Sequence, residues 1–200
     1  MSAVPTGVVL AAGSSRRLGS PKQLLPFGGA TLLDATLDTA RACGFDQLLV
    51  TLGGAADRIR DEVDLRGTVV VASPTPTEGC SSSLRAAVDV VDPRSTGIVL
   101  LLGDQPRIRP VDVATLLDRA GDGPLGVCRY DDGRGHPLWL GRAVFDDLRQ
   151  LHGDKAVWKL LESGRYPVTD VPARGTVPLD VDTVEDHRQL VATEEVDGGG

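Results

Sequence analysis

Along the 200 residues, short unbroken apolar runs alternate with stretches in which apolar residues recur every three or four positions. Residues 7–10 (GVVL), 47–52 (QLLVTL), 68–72 (TVVVA) and 97–102 (GIVLLL) are brief and bounded by Gly, Asp or Pro. Such runs mark parallel strands buried on both faces. Residues 125–128 and 167–171 are fainter strands. Between them, residues 31–42 place Leu33, Leu37 and Ala40 on one helical face, with Gly44 as a stop. Residues 82–91 and 111–120 read the same way. Residues 129–137 (RYDDGRGHP) are rich in turn formers and predict a loop. Helices at 142–151 and 154–161, parted by Gly153, and a last helix at 183–192 complete the pattern. Alternating strands and helices predict a three-layer α/β fold with a mostly parallel central sheet.

No internal repeat or long linker divides the chain, so residues 1–193 are expected to form one domain, with 194–200 (EEVDGGG) a disordered tail. Aromatic residues are only 4%, so the core must rest on Val, Leu, Ile and Ala, which suits a covered parallel sheet. The balance of 21 basic against 28 acidic residues gives a charge of −7 and argues against a nucleic-acid partner. Cys43, Cys80 and Cys128 are odd in number and widely spaced, which builds neither a zinc site nor a disulfide framework. A reducing cytoplasm is the expected compartment. No leader-like segment opens the chain, and no apolar segment approaches the ~20 residues of a membrane span.

After the first strand the chain runs LAAGSSRRLGSPKQLLPFGG. Gly13 and Gly19 let backbone N–H groups turn toward an anion, Ser14 and Ser15 add hydroxyls, and Arg17 and Lys22 add charge. The plainer reading is a Gly-Ser turn with solvated basic residues. The segment lacks the GK[ST] ending of a P-loop and is not GxGxxG, which argues against P-loop ATPases and dinucleotide oxidoreductases. Asp104 stands just past the apolar run 98–102 and is either a turn former or an oxygen ligand for Mg²⁺. In LDVDT (179–183), Asp180 and Asp182 alternate on an extended segment, so only one can join Asp104, while Asp182 or Thr183 could instead cap the following helix. In EGCSSSLR (78–85) the serines either cap a helix or, with Gly79, receive a base and sugar.

Leu10, Ala11, Ala12, Gly13, Arg17, Gly19 and Lys22 stand at the fixed positions of a signature, LAAG-x-S-x-R-M/L-G-x-x-K. The chain thereby resembles the nucleotidyltransferases that include the molybdenum cofactor cytidylyl- and guanylyltransferases. The likeness continues through KQLLPFGGATLL, GCSSSLRAAV, LLGDQP, GHP, GDKA and DVDT, and is greatest to the cytidylyltransferases. It implies a Rossmann-like nucleotidyltransferase fold and transfer of CMP from CTP to molybdopterin or the molybdenum cofactor, with release of pyrophosphate. It further implies Arg17, Lys22 and Asp104 as catalytic groups. Leu10 to Ser15, Arg17, Lys22, Gly79, Ser81, Ser83 and Asp104 would bind the nucleotide. Asp104 and Asp182 would hold Mg²⁺, and His136 and Asp154 would lie on the acceptor side. Ala12, in place of a Gly found in guanylyl relatives, favours a pyrimidine. A transient contact with a molybdoenzyme or cofactor carrier is also implied. Guanylyl transfer, a sugar phosphate, phospholactate or methylerythritol phosphate acceptor, a non-catalytic nucleotide-binding module and an oxidoreductase on the same fold are the rival readings.

Overall fold

The structure, a computed structural model, describes residues 4–13, 15, 18–74, 80–153 and 155–197. Its strands are β1 (Pro5–Ala11), β2 (Pro26–Phe27), β3 (Ala30–Thr31), β4 (Gln47–Leu52), β5 (Val69–Ala72), β6 (Gly97–Leu102), β7 (Leu125–Arg129), β8 (Arg134–Gly141) and β9 (Val168–Pro172). The helices are α1 (Leu32–Ala42), α2 (Ala56–Glu62), α3 (Cys80–Val88), α4 (Pro110–Ala120), α5 (Phe145–Arg149), α6 (Ala156–Glu162) and α7 (Val184–Asp197). A seven-stranded sheet has the order β5-β4-β1-β6-β8-β7-β9, and β2 and β3 form a separate small hairpin. All its neighbouring pairs are parallel except those of β8, which runs antiparallel to β6 and β7.

Both faces of the sheet are covered, which is why the strand runs are unbroken. Val9, Ala11, Val99 and Leu101 pack with Leu33 and Leu37 of α1, Ile59 of α2 and Val113 and Leu116 of α4. The alternate residues Val8, Leu10, Ile98 and Leu100 pack with Leu84 and Val88 of α3, Leu148 of α5 and Leu160 and Leu161 of α6. A small third cluster of Leu32, Val181 and Leu190 docks α7 against the start of α1.

From β1 the chain passes through α1 to β4 and through α2 to β5, then crosses back over α3 to β6 on the other side of β1. The order therefore reverses between β1 and β6. In open α/β sheets that reversal opens a ligand crevice at the strands' carboxyl ends. Ala12 and Gly13 follow β1 into it, and Gly103 and Asp104 follow β6.

The sequence reading needs correction in four places. Residues 129–137 are not one loop, because β7 extends to Arg129 and β8 begins at Arg134. Leu138 lies opposite Val127 while Gly135 lies opposite Cys128, so His136 and Pro137 bulge from the ladder. Pro137 has no N–H to give a ladder, which made this strand read as a turn. Helix α2 was not foreseen. The helix expected at 142–151 is a 3-10 turn at Arg142–Val144 followed by the short α5. Lastly, α7 runs from Val184 to Asp197, past the expected helix end at 192.

Candidate functional site

Two glycines bring the segments of the crevice together. A Cβ on Gly103 would meet the Ala11 Cβ at 2.9 Å, and one on Gly53 would meet the Ala12 carbonyl oxygen at 2.5 Å. The Gly103 N–H also donates to the Leu10 carbonyl at 2.9 Å. The ends of β1, β4 and β6 thus close on Ala11 and Ala12, both buried. Beyond them, Gly13 is exposed and Ser15 turns the chain with a left-handed φ of 47°.

Gln23, 2% exposed, fastens the loop to itself: its Nε2 donates to the carbonyls of Ala11 (2.6 Å) and Gly13 (3.2 Å). The Lys22 N–H donates to Ser15 Oγ at 2.8 Å. These bonds aim the Lys22 side chain across the crevice. Its Nζ lies 2.5 Å from Asp104 Oδ2 and 3.0 Å from Asp182 Oδ1. Burial opposes the Lys22 charge, but Asp104 and then Asp182 more than offset it and raise the pKa above the usual lysine value.

Asp104 is 6% exposed and does not cap a helix, since α4 starts at Pro110 with Arg109 at its cap. Asp182 is also relieved of capping. Thr183 N–H and Oγ1 donate to Asp186 Oδ2, and Asp186 N–H donates back to Thr183 Oγ1, a reciprocal box that starts α7. Gln105 draws the two acidic segments together. Its Nε2 donates to the Pro178 carbonyl (3.0 Å) and to Asp180 Oδ1 (2.6 Å). Burial, and then the charge of Asp104, raise the pKa of Asp180. Neither Gln23 nor Gln105 was singled out in the sequence, because an amide's partners are set by tertiary approach rather than by spacing.

Asp104 and Asp182 converge on one cationic point, as a pair of hard oxygen ligands should. Among the described residues no group of three or more His, Cys, Asp or Glu forms a metal cluster. Any ion here would complete its coordination with water or substrate oxygens.

Ser81, Ser82 and Ser83 are buried in the first turn of α3, which enters from the carboxyl end of β5. Ser83 Oγ donates to Ser73 Oγ at 3.0 Å, while Ser81 Oγ has no partner among the described residues. Ser14, Arg17, Gly79 and Asp154 lie outside the described residues.

His136, expected to contact an acceptor, is 8% exposed and stands edge-on to Trp158, with ring centroids 5.8 Å apart. Burial lowers its pKa to about 4. It supports a cavity wall rather than lining the cavity. That cavity, of about 480 Å³, is lined by Arg134, Lys155, Trp158, Lys159 and Glu162. Arg134 is held by both oxygens of Asp170, at 2.7 and 2.6 Å. The sequence did not bring these side chains together, because those of β8 and α6 meet through the unforeseen strand. Among the described residues no helix is long and apolar enough to cross a membrane.

An α/β sheet whose switch point brings Lys22 to Asp104 and Asp182 has the architecture of the nucleotidyltransferase class. Residues 7–169 match the MobA-like NTP transferase domain, and the chain belongs to that family. Rv0371c of Mycobacterium tuberculosis H37Rv is 53% identical, with 96% of this chain and 100% of that one covered and a TM-score of 0.91. A manganese complex of Rv0371c aligns at 50% identity over 96% and 100% of the two chains, with a TM-score of 0.86. The bifunctional protein GlmU of Burkholderia thailandensis is 36% identical over 143 residues, 70% of this chain and 30% of GlmU. This chain therefore matches under a third of that relative's length.

Proposed function

We propose that the chain transfers a nucleotidyl group, CMP from CTP, to a phosphate of molybdopterin or the molybdenum cofactor, releasing pyrophosphate with Mg²⁺ as the metal. The observation that carries this reading is the meeting of Lys22 with Asp104 and Asp182 at the sheet's switch point. In this reading Leu10 to Ser15, Arg17 and Lys22 hold the triphosphate, and Gly79, Ser81 and Ser83 receive the base and ribose. The unpartnered Ser81 hydroxyl supports it. A buried hydroxyl without a partner costs about 1–3 kcal/mol, which a nucleotide's polar edge would recover. Ser83, bonded to Ser73, holds the turn.

The reaction forms a bond from an acceptor phosphate oxygen to the α-phosphorus. It breaks the bond from that phosphorus to the oxygen bridging the β-phosphorus. A phosphate monoester is already anionic near neutral pH, so no general base is needed. Lys22 and Arg17 balance the negative charge that builds on the transferring and leaving groups, and the loop's N–H groups align them. Mg²⁺, held by Asp104 and Asp182, would withdraw charge from the phosphate oxygens.

Ala12 supports a pyrimidine. Gly53 and Gly103 press so closely on Ala11 and Ala12 that the backbone has little room to retreat from a purine. The acceptor side is assigned to the cavity beside Trp158, whose volume falls within the range of small-ligand sites. Lys155 and Lys159 offer charge to an anion, and Trp158 offers a flat face to a planar ring. His136 positions Trp158. Asp154, next to Lys155, stays assigned to this side.

The test is pyrophosphate release with CTP, GTP, ATP or UTP, with and without molybdopterin and Mg²⁺, alongside thermal shifts for each nucleotide. CTP should give the largest shift, and release should require both acceptor and metal. A preference for GTP would mark a guanylyl enzyme. Binding without release would mark a non-catalytic module.

A further inference from the structure

We infer that Lys22 is the resident counter-cation of the metal site: without nucleotide its ammonium fills the place between Asp104 and Asp182, and it yields that place to a metal only when a triphosphate draws it onto the loop. This rests on the nucleotidyl-transfer reading and names the species that the site accepts, a metal–triphosphate complex rather than the two components in either order.

The ammonium is 2.5 Å from one carboxylate and 3.0 Å from the other. An ion bound to Asp104 Oδ2 at an ordinary Mg–O distance of about 2.1 Å would sit within about 5 Å of Nζ in any direction. Like charges that close, in a partly buried crevice, disfavour joint occupancy. Nor does Lys22 simply withdraw, since the nearly buried Asp104 would then lose the ammonium 2.5 Å from it. The Lys22 stem does pass over Gly13, where a Cβ would lie 3.7 Å from Cε. The ammonium is therefore within a side-chain rotation of the loop. A triphosphate seated on the loop gives Lys22 a new anion, and the metal it carries gives the carboxylates a new cation. Every charge then keeps a partner throughout the exchange.

The inference is tested without nucleotide or acceptor, by titrating Mn²⁺ into the purified protein and following the free ion by electron paramagnetic resonance. Lys22→Met should bind Mn²⁺ at least tenfold more tightly than the unaltered protein, although the same change weakens CTP binding. Lys22→Arg, which keeps the cation, should stay weak. Lys22→Met combined with Asp104→Asn should lose the gain, which locates the ion. If thermal melting shows that Lys22→Met does not fold, Lys22→Gln carries the same test. Equal or weaker Mn²⁺ binding in the charge-free variant overturns the inference, even in an enzyme that releases pyrophosphate from CTP. Conversely, tighter binding in a protein that fails to use any nucleotide overturns the proposed function and leaves the competition for the carboxylates intact.

Discussion

Asp104 and Asp182 are separated by more than seventy residues, yet both reach one lysine ammonium. What brings them there is uncharged. Gln105 spends both of its amide hydrogens on the 178–180 segment, and Gly103 has no side chain to hold β6 away from β1. Of these residues the sequence displays the carboxylates and the lysine, because a charge beside a strand end is conspicuous. The glutamines stay hidden, since Gln23 and Gln105 look like any polar residue until their partners are known. Which residue of LDVDT caps the last helix likewise could not be read from spacing; Asp186, which joins Thr183 in the box that starts α7, shows that it is Thr183. Asp104→Asn should lower kcat by about a hundredfold or more, since it removes charge from the site while keeping shape. A melting temperature within a few degrees of the parent would show that the loss is chemical. Near-normal turnover at saturating Mg²⁺ would remove Asp104 from the metal site. Gln105→Leu should act differently, because it loosens the segment bearing Asp182 without touching the loop. The Mg²⁺ concentration for half-maximal rate should rise severalfold while CTP affinity measured without metal stays level. A matching loss of CTP affinity would mean that Gln105 supports the whole crevice rather than the acidic arm.

At the scale of elements, the strands that read most plainly are those inside the sheet: β1, β4 and β6 are buried on both faces, so hydrophobicity runs unbroken, while β5 and β9 lie at the edges and are partly exposed. Strand β8 breaks that rule with Gly135, His136 and Pro137 at its start, and its bulge follows from the missing proline N–H. Missing β8 also hid the cavity, whose walls combine β8 with α6. The helix read at 31–42 starts where expected, since Thr31 and Asp34 form a capping box before α1. The short α2 lacks a side-chain cap and went unread. The junction of β1 with β6 is the element contact most exposed to test. Gly103→Ala would place a methyl 2.9 Å from the Ala11 Cβ and 3.2 Å from the Leu10 carbonyl oxygen, so the two strand ends must part by some tenths of an ångström. Overpacking of that kind costs about 1–3 kcal/mol. Urea unfolding should show that loss, and kcat should fall with it because Asp104 is the next residue. A fully active, equally stable variant would mean that the strands tolerate separation and that close approach is not what places Asp104.

For the molecule as a whole, three layers divide the labour. The sheet carries the crevice at its edge, the α1, α2 and α4 side supplies one core, and the α3, α5 and α6 side supplies the other together with the cavity beside Trp158. His136 sits where the sheet bulge meets α6, edge-on to Trp158, and burial holds its pKa at about 4 against about 6.5 for an exposed histidine. The sign of the linkage follows. Above pH 6.5 the imidazole is neutral whether the chain is folded or unfolded, and the fold keeps its full stability. As pH falls from 6.5 toward 4, only the unfolded chain takes up the proton, so stability declines; below 4 both states are protonated and this contribution levels off. The loss between pH 7 and pH 5 is about 2 kcal/mol by the linkage relation. Urea unfolding at pH 7, 6 and 5 measures it, in a window above the range where ordinary aspartates titrate. His136→Gln should flatten the slope whatever it does to absolute stability, because the comparison is made within each variant. An unchanged slope would mean that His136 takes up its proton in the folded state, through an opening between α6 and the sheet, and the cavity wall would then be a movable one.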